Sequence, residues 1–242
     1  MSLNDQKKIW CRGFRDANTG VELRGRVDVD PEFLSDAFGI PRSLRKDTLD
    51  DITPANEKQL IVMNYMYDMT HNWKGTHSTM IVTGGNGSGK SYLGAALIHS
   101  LALEQGLSNG IGRTARFTDE ASLSMRVSGM DFGASFALFT KLIDVLVIDE
   151  FAMTAWSPSD KKKIEQILGI RYSNGLKTIL LTNRTSDELF GGDGKEPILS
   201  SQLRSRYAGG YLVNFTSADY RRNTEALKRD LETGGNADDW LF

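Results

Sequence analysis

The chain has 242 residues, enough for one large domain or one domain with a small appendage. Lys plus Arg (29) nearly balances Asp plus Glu (31), and a net charge of −2 gives no general attraction to nucleic acid, so any DNA contact must come from a local cationic patch. The lone Cys11 excludes an internal disulfide, and His71, His77 and His99 are not spaced with it like metal ligands, which argues against a structural zinc.

Residues 1–50 alternate charges with isolated aromatics (Trp10, Phe14, Phe33, Phe38) and carry Pro31 and Pro41. Nothing in them resembles a long strand or helix, and they read as a small appendage that docks on something. The first five residues lack the basic and apolar regions of a signal peptide, and no apolar run approaches the roughly 20 residues of a membrane span. The chain reads as cytoplasmic, with no membrane partner. Thr53 is placed to cap a helix with Pro54 in its first turn, running to about Trp73 with an apolar stripe through Leu60, Met63 and Tyr67 and with Ile61 and Met66 beside it. Strands and helices then alternate. The pattern predicts a buried strand over 79–83, a helix over 90–105, a weaker strand over 115–118 and helical segments to Leu142. A nearly continuous apolar strand over 144–148 follows, then a helix from Ser157-Pro158 to about Tyr172, a strand over 177–182 and a last strand over 211–215. This alternation predicts an α/β fold with a parallel sheet and helices on both faces.

Gly84-Gly85-Asn86-Gly87-Ser88-Gly89-Lys90-Ser91 matches G-x-x-x-x-G-K-[ST], with a predicted strand before it and a predicted helix after it. The glycines let the backbone curl so that successive N–H groups face phosphate oxygens, and the helix N-terminus adds partial positive charge. Gly85, Asn86, Gly87, Ser88, Gly89, Lys90, Ser91 and Tyr92 are the candidate nucleotide-binding residues. Lys90 can reach the β- and γ-phosphates of ATP, and the Ser91 hydroxyl can ligate Mg²⁺. The apolar strand over 144–148 ends in Asp149-Glu150, at the edge where open α/β sheets bind ligands. Asp149 is placed to hold Mg²⁺ through water, and Glu150 to polarise the attacking water as a general base. Alone, such a pair reads as two solvated acids; the P-loop upstream gives it a purpose. Asn183 closes the strand over 177–182, where a polar group can sense the γ-phosphate or orient water, although Asn at a strand end is also ordinary turn chemistry. Arg204 and Arg206 fall near the end of a predicted helix before the last strand. An arginine there can stabilise a transferring phosphoryl group of a neighbouring subunit, or simply sit on the surface.

In this order the parts resemble the AAA+ family, and within it the DnaC/DnaI-type bacterial and phage helicase loaders, with the IstB-type transposition helpers as relatives. The resemblance covers about residues 40–222. It is carried by Ile40-Pro41-Arg42-Ser43-Leu44-Arg45 leading to Thr48-Leu49-Asp50-Asp51-Ile52, by the P-loop, by Leu146-Val147-Ile148-Asp149-Glu150, and by Leu181-Thr182-Asn183. Gln202-Leu203-Arg204-Ser205-Arg206, Val213-Asn214-Phe215 and Ala218-Asp219-Tyr220-Arg221 complete it. It implies a P-loop AAA+ fold with a five-stranded parallel sheet and a lid domain absent or truncated. It implies ATP hydrolysis with Mg²⁺, Asn183 as sensor 1, Arg204 as an arginine finger acting in trans and Arg206 as a second contact nearby. The partners it implies are a DnaB-type hexameric replicative helicase, single-stranded DNA and further copies of the chain in a spiral. Residues 1–50 would be the helicase-binding element, 51–228 the ATPase domain and 229–242 an acidic and aromatic tail. The IstB-type alternative implies duplex DNA and a transposase instead.

Single-strand binding needs a cationic groove with stacking or polar groups. Arg113, Arg116 and Arg126 before the acidic strand, and Trp156, Ser157 and Lys161-Lys162-Lys163 after it, are candidates. The resemblance puts the neighbourhood of Arg126 and Ser157 on the pore-lining surface. Ser157 before Pro158 is equally a good helix N-cap with Asp160 in the first turn, and the lysine run reads as a solvated helix face. The end, Ala237-Asp238-Asp239-Trp240-Leu241-Phe242, reads as a frayed tail or as a docking peptide.

Overall fold

The computed structural model describes residues 9–15, 22–27, 36, 38–44, 47–54, 56–71, 78–107, 114–129, 132–153, 156–192, 194–207 and 209–215. The C-terminal tail, the position of a lid after the last strand, and Arg113 lie outside the described residues. The first two strands pair antiparallel: β1 (Ile9–Arg15) and β2 (Glu22–Val27) place Ile9 opposite Val27, with a bulge between Arg12 and Phe14. Their mixed pattern of charges and aromatics gave no strand signal in the sequence. The pairing is a matter of backbone hydrogen bonds that such a pattern does not display.

Five further strands form one parallel sheet. They are β3 (Thr79–Thr83), β4 (Ala115–Asp119), β5 (Val145–Asp149), β6 (Lys177–Thr182) and β7 (Tyr211–Asn214), in the order β4-β5-β6-β3-β7. Successive strand residues point to opposite faces, and the central strands are apolar on both. Val145, Val147, Ile179, Leu181, Met80 and Val82 pack to one side, and Leu146, Ile148, Leu180 and Ile81 to the other. The first side is covered by α1 (Glu57–His71) and α2 (Lys90–Leu107). The second is covered by α3 (Glu120–Ser128), α5 (Pro158–Ser173) and α7 (Ser201–Tyr207). Two short helices, α4 (Phe132–Ala137) and α6 (Ser186–Phe190), a π-helical turn over Leu138–Leu142 and 3-10 turns over Arg42–Leu44 and Leu49–Asp51 complete the described helices. Gly94 lets α2 settle onto the sheet: a Cβ there would lie 2.8 Å from Leu181 and 3.0 Å from Val147.

Two local readings differ from expectation. Helix α1 is capped by Asn56, whose Oδ1 accepts the Gln59 N–H at 2.9 Å, while Thr53 and Pro54 precede it. Leu60 is 44% exposed, and the buried row is Val62, Met63, Met66 and Met69. Packing against α2 and β7 chose that face, and sequence spacing alone allowed either. The segment before α1 also contributes to the core: Phe38, Ile40 and Leu49 are buried with the first-side cluster, the Phe38 carbonyl accepts the Phe117 N–H, and the Leu49 N–H donates to Ser100 Oγ at 2.8 Å.

Arg171, in the last turn of α5, is wholly buried. Its guanidinium donates to the carbonyls of Phe139 (2.6 Å), Ile143 (2.8 Å), Asp144 (3.3 Å) and Lys177 (2.7 Å) and to Thr178 Oγ1 (2.9 Å). Burial pulls its pKa down to about 10, so it stays charged at neutral pH. It ties α5 to the chain entering both β5 and β6. Arg171→Ala leaves several carbonyls buried and unmatched and is expected to lower stability by about 3 kcal/mol or more. Arg171→Lys should recover little of this, because one ammonium cannot span the fork. Urea unfolding midpoints of the two variants check both statements.

Candidate functional site

The carboxyl ends of β3, β5 and β6 open into a cleft of about 530 Å³, a volume suited to a nucleotide. The loop from Gly84 to Gly89 forms one wall. Gly87 (φ +74°) and Gly89 (φ +93°) take the left-handed conformation that lets the loop curl ahead of α2. Lys90 is nearly buried, and its ammonium donates to the carbonyls of Gly84 and Gly85 at 2.8 Å and to Ser88 Oγ at 3.1 Å. Asn86, Ser91 and Tyr92 line the cleft with it. The Tyr92 hydroxyl donates to Asp47, and burial followed by that carboxylate pushes the phenol well above its ordinary pKa.

Sequence reasoning did not assign the facing wall to the site. Leu44, Ile52 and Thr53 line it, with Gln59 of α1 behind. This segment is held by its own caps. Asp51 Oδ2 accepts the Thr48 N–H at 2.9 Å and the Thr48 hydroxyl at 2.7 Å, which keeps the Asp51 carboxyl below the usual carboxylate range. Tyr67 OH donates to Asp50 at 2.5 Å. The available signal was position: an apolar pair, Ile52 and Leu44, on the segment leading into α1.

Asp149 and Glu150 both line the cleft. Asp149 Oδ1 accepts the Glu150 N–H at 2.9 Å. Ser91 and Asp149 offer hard oxygen donors from two walls of one cleft, a set that fits Mg²⁺. Beyond Asp149 the chain turns sharply. Glu150 (φ +53°) and Ala152 (φ +60°) are both left-handed, each costing an L-residue about 1 kcal/mol or more. The turn persists because it is tied at several points. The Phe151 N–H donates to the Leu181 carbonyl (2.9 Å), Thr182 Oγ1 to the Phe151 carbonyl (2.6 Å), and Arg184 Nε to the Ala152 carbonyl (2.9 Å).

Asn183 follows β6 and its amide donates to Asn86 Oδ1, so the strand-end asparagine touches the P-loop across the cleft. Arg184 next to it pairs with Glu188 at 3.4 Å, and Glu188 closes a capping box with Thr185. Arg204 does not line the cleft of its own chain. Its Nη1 donates to the Phe190 carbonyl at 3.0 Å, and its buried Nε has no acceptor. Arg206 lies beside α5, its guanidinium 6.0 Å from the Tyr172 ring centroid.

Arg126 and Ser157 are both exposed. Ser157 caps α5, accepting the Asp160 N–H at 3.1 Å and donating to Asp160 Oδ2 at 2.7 Å. Ser128, two residues after Arg126, donates to the other oxygen of Asp160. Arg116 is 5% exposed within β4, which removes it from any DNA-binding surface. Trp156 is half-buried, packs edge-on to Phe151 at 5.5 Å and donates its indole N–H to Glu120.

Among the described residues no helix is long and apolar enough to cross a membrane. No protein-family model matches the chain. Among solved structures it is similar to a DnaC helicase loader, at 23% identity and a TM-score of 0.57, over 72% of this chain and 99% of that one. It is similar to DnaI at 16% identity and a TM-score of 0.58, over 74% of this chain and 93% of that one. It is also similar to the replication initiator DnaA bound to AMPPCP and single-stranded DNA, at 17% identity and a TM-score of 0.59, over 82% of this chain and 57% of that one. The chain thus spans little more than half the length of that initiator. These structures share one thing with this chain, the fold: an α/β domain built on a parallel sheet flanked by helices.

The left-handed turn separates backbone from chemistry at Glu150. Asn tolerates that conformation better than most residues but offers no carboxylate. Glu150→Asn is expected to leave unfolding stability within about 0.5 kcal/mol of wild type and to retain ATP binding. With Glu150 as the general base that the sequence pattern suggests, single-turnover ATP hydrolysis by this variant should fall by about a hundredfold or more. Denaturant titration and rapid-quench kinetics check the two halves.

Proposed function

We propose that this chain is an ATP-hydrolysing helicase loader, which binds a DnaB-type hexameric helicase and single-stranded DNA and places the ring on the strand. The observation that carries the ATPase reading is the convergence of Lys90, Asp149, Glu150 and Asn183 on one cleft. The loader reading draws support from the fold likeness that runs over 99% of the DnaC helicase loader chain, together with the sequence stretches quoted above.

In this mechanism Lys90 exchanges its carbonyl partners for the β- and γ-phosphate oxygens, while the curled loop presents N–H groups to them. Ser91 and Asp149 would hold Mg²⁺, which supplies neutralising charge on those oxygens. Glu150 takes a proton from water as its oxygen bonds to the γ-phosphorus, and the bond to the bridging oxygen breaks to release ADP. Asn183, already against Asn86, orients the water or reads the γ-phosphate. Arg204 lies outside its own cleft and serves the cleft of a neighbouring copy, stabilising charge on the transferring group. ATP would therefore favour an oligomer, a spiral in this reading, and hydrolysis would dismantle it. Residues 1–50 carry the helicase-binding element in this reading and 51–228 the ATPase domain, with Phe38, Ile40 and Leu49 of the first segment packed into the core of the second. Arg126 and Ser157, both exposed, serve as contacts for single-stranded DNA.

ATP hydrolysis per subunit, followed over a range of protein concentration with and without single-stranded DNA, tests the scheme. Wild type should speed up with both. Arg204→Ala should lose about a thousandfold of the stimulated rate while still binding ATP. A rate that is flat with concentration and indifferent to Arg204 would remove the shared site. Stimulation by duplex rather than single-stranded DNA would favour the transposition-helper alternative.

A further inference from the structure

Glu120 is the first residue of α3 and is 1% exposed. Its Oε2 accepts the Met153 N–H at 3.2 Å, and its Oε1 accepts the Trp156 indole N–H. The same Met153 N–H also points at the Glu150 carbonyl, 3.2 Å away. One proton is thus shared between Glu120 and the backbone of the residue read as the general base. Trp156 in turn sits edge-on to the buried Phe151, with ring centroids 5.5 Å apart and planes at 61°. Carboxylates are disfavoured in a core unless donors converge on them, and packing alone would be served by an apolar side chain. Here the first turn of a helix and two N–H donors converge on one carboxylate. Both donors belong to the segment leaving β5, on the side of the turn opposite its ties to Leu181, Thr182 and Arg184.

We propose that Glu120 is a positioning residue for ATP hydrolysis: it clamps Met153 and Trp156 so that the left-handed turn keeps the Glu150 carboxylate directed into the cleft. β6 holds the turn at Phe151, Arg184 holds it at Ala152, and Glu120 holds it at Met153. Without the clamp the turn relaxes toward an ordinary backbone conformation and the carboxylate drifts from the attacking water. Such a shift leaves nucleotide binding alone, because Glu120 does not line the cleft. The proposal rests on Glu150 acting as the general base.

The test uses full-length Glu120→Ala, Glu120→Gln and Trp156→Phe beside wild type and Glu150→Gln. Hydrolysis at saturating ATP, ATP affinity and melting temperature are measured for each. Glu120→Ala should lower kcat roughly tenfold or more, with ATP affinity held within about twofold. Trp156→Phe keeps a ring against Phe151 but removes the donor, and should lower kcat by about threefold. Glu120→Gln keeps one good acceptor and should fall between wild type and Glu120→Ala. The double variant Glu120→Ala with Trp156→Phe should be no slower than Glu120→Ala alone, because both remove one interaction. The proposal is overturned if Glu120→Ala and Trp156→Phe both turn over within about twofold of wild type while Glu150→Gln does not. It is equally overturned if kcat, ATP affinity and melting temperature fall together, since that marks a general loss of structure. A Glu150→Gln variant that turns over at the wild-type rate removes the general-base reading, and the proposal with it.

Discussion

Parallel pairing of β5 with β6, and of β6 with β3, brings three chemically different strand ends to the same edge of the sheet. Thr83 lies level with Thr182, and Ile148 with Leu180. The P-loop, Asp149-Glu150 and Asn183 each begin within a residue or two of those positions. Parallel strands need crossover connections, so residues 66 apart in the chain, such as Gly84 and Glu150, meet only because helices carry the backbone back to the starting edge. A slip of one residue in either pairing would turn the apolar sets over to the wrong faces and move the acids off the cleft. Arg171 guards that register, since its guanidinium bridges the chain entering β5 and the first two residues of β6.

The same edge is where the backbone departs from its comfortable conformations. Glu150 and Ala152 are left-handed without being glycine, and the P-loop turns through left-handed glycines beside them. Strain of this kind lasts only where neighbours over-determine it. At the P-loop, glycine removes the cost. At the turn after β5 the cost is met by hydrogen bonds from β6, Arg184 and Glu120. The two walls of the cleft are therefore held by different means, one by composition and the other by tertiary contacts.

Helix α3 links that site to the first turn of α5. Its first residue, Glu120, grips the segment after β5, and Ser128 at its last turn meets Asp160 in the first turn of α5. Ser157 is thus a helix cap and a surface hydroxyl at once. Capping engages its oxygen with Asp160, so any contact with a ligand would compete with, or add to, that bond. Arg204 is likewise tied to its own chain through the Phe190 carbonyl, with its Nε proton unmatched.

The P-loop was legible in the sequence because its chemistry needs a contiguous run of residue types, and the strand and helix around it announced themselves by apolar runs and period. The acids after β5 were legible for the same reason, since an apolar strand that stops at two carboxylates is a local pattern. The strands over 79–83 and 177–182 stand where periodicity put them. The facing wall at Leu44, Ile52 and Thr53, the burial of Phe38 and Leu49, the choice of Met66 over Leu60 as the inward face of α1, and the pairing of β1 with β2 were decided by tertiary structure. Each depends on what lies across a gap, which residue spacing does not encode. Glu120 is the sharpest case. In sequence it is an ordinary acid opening a helix; the fold surrounds it with the N–H groups of Met153 and Trp156, and only there does its position bear on Glu150. Local pattern thus determined which polar groups stand at the carboxyl edge of the sheet, while long-range packing decided how they are held, because directional hydrogen bonds between distant segments exist only once the sheet has brought those segments together.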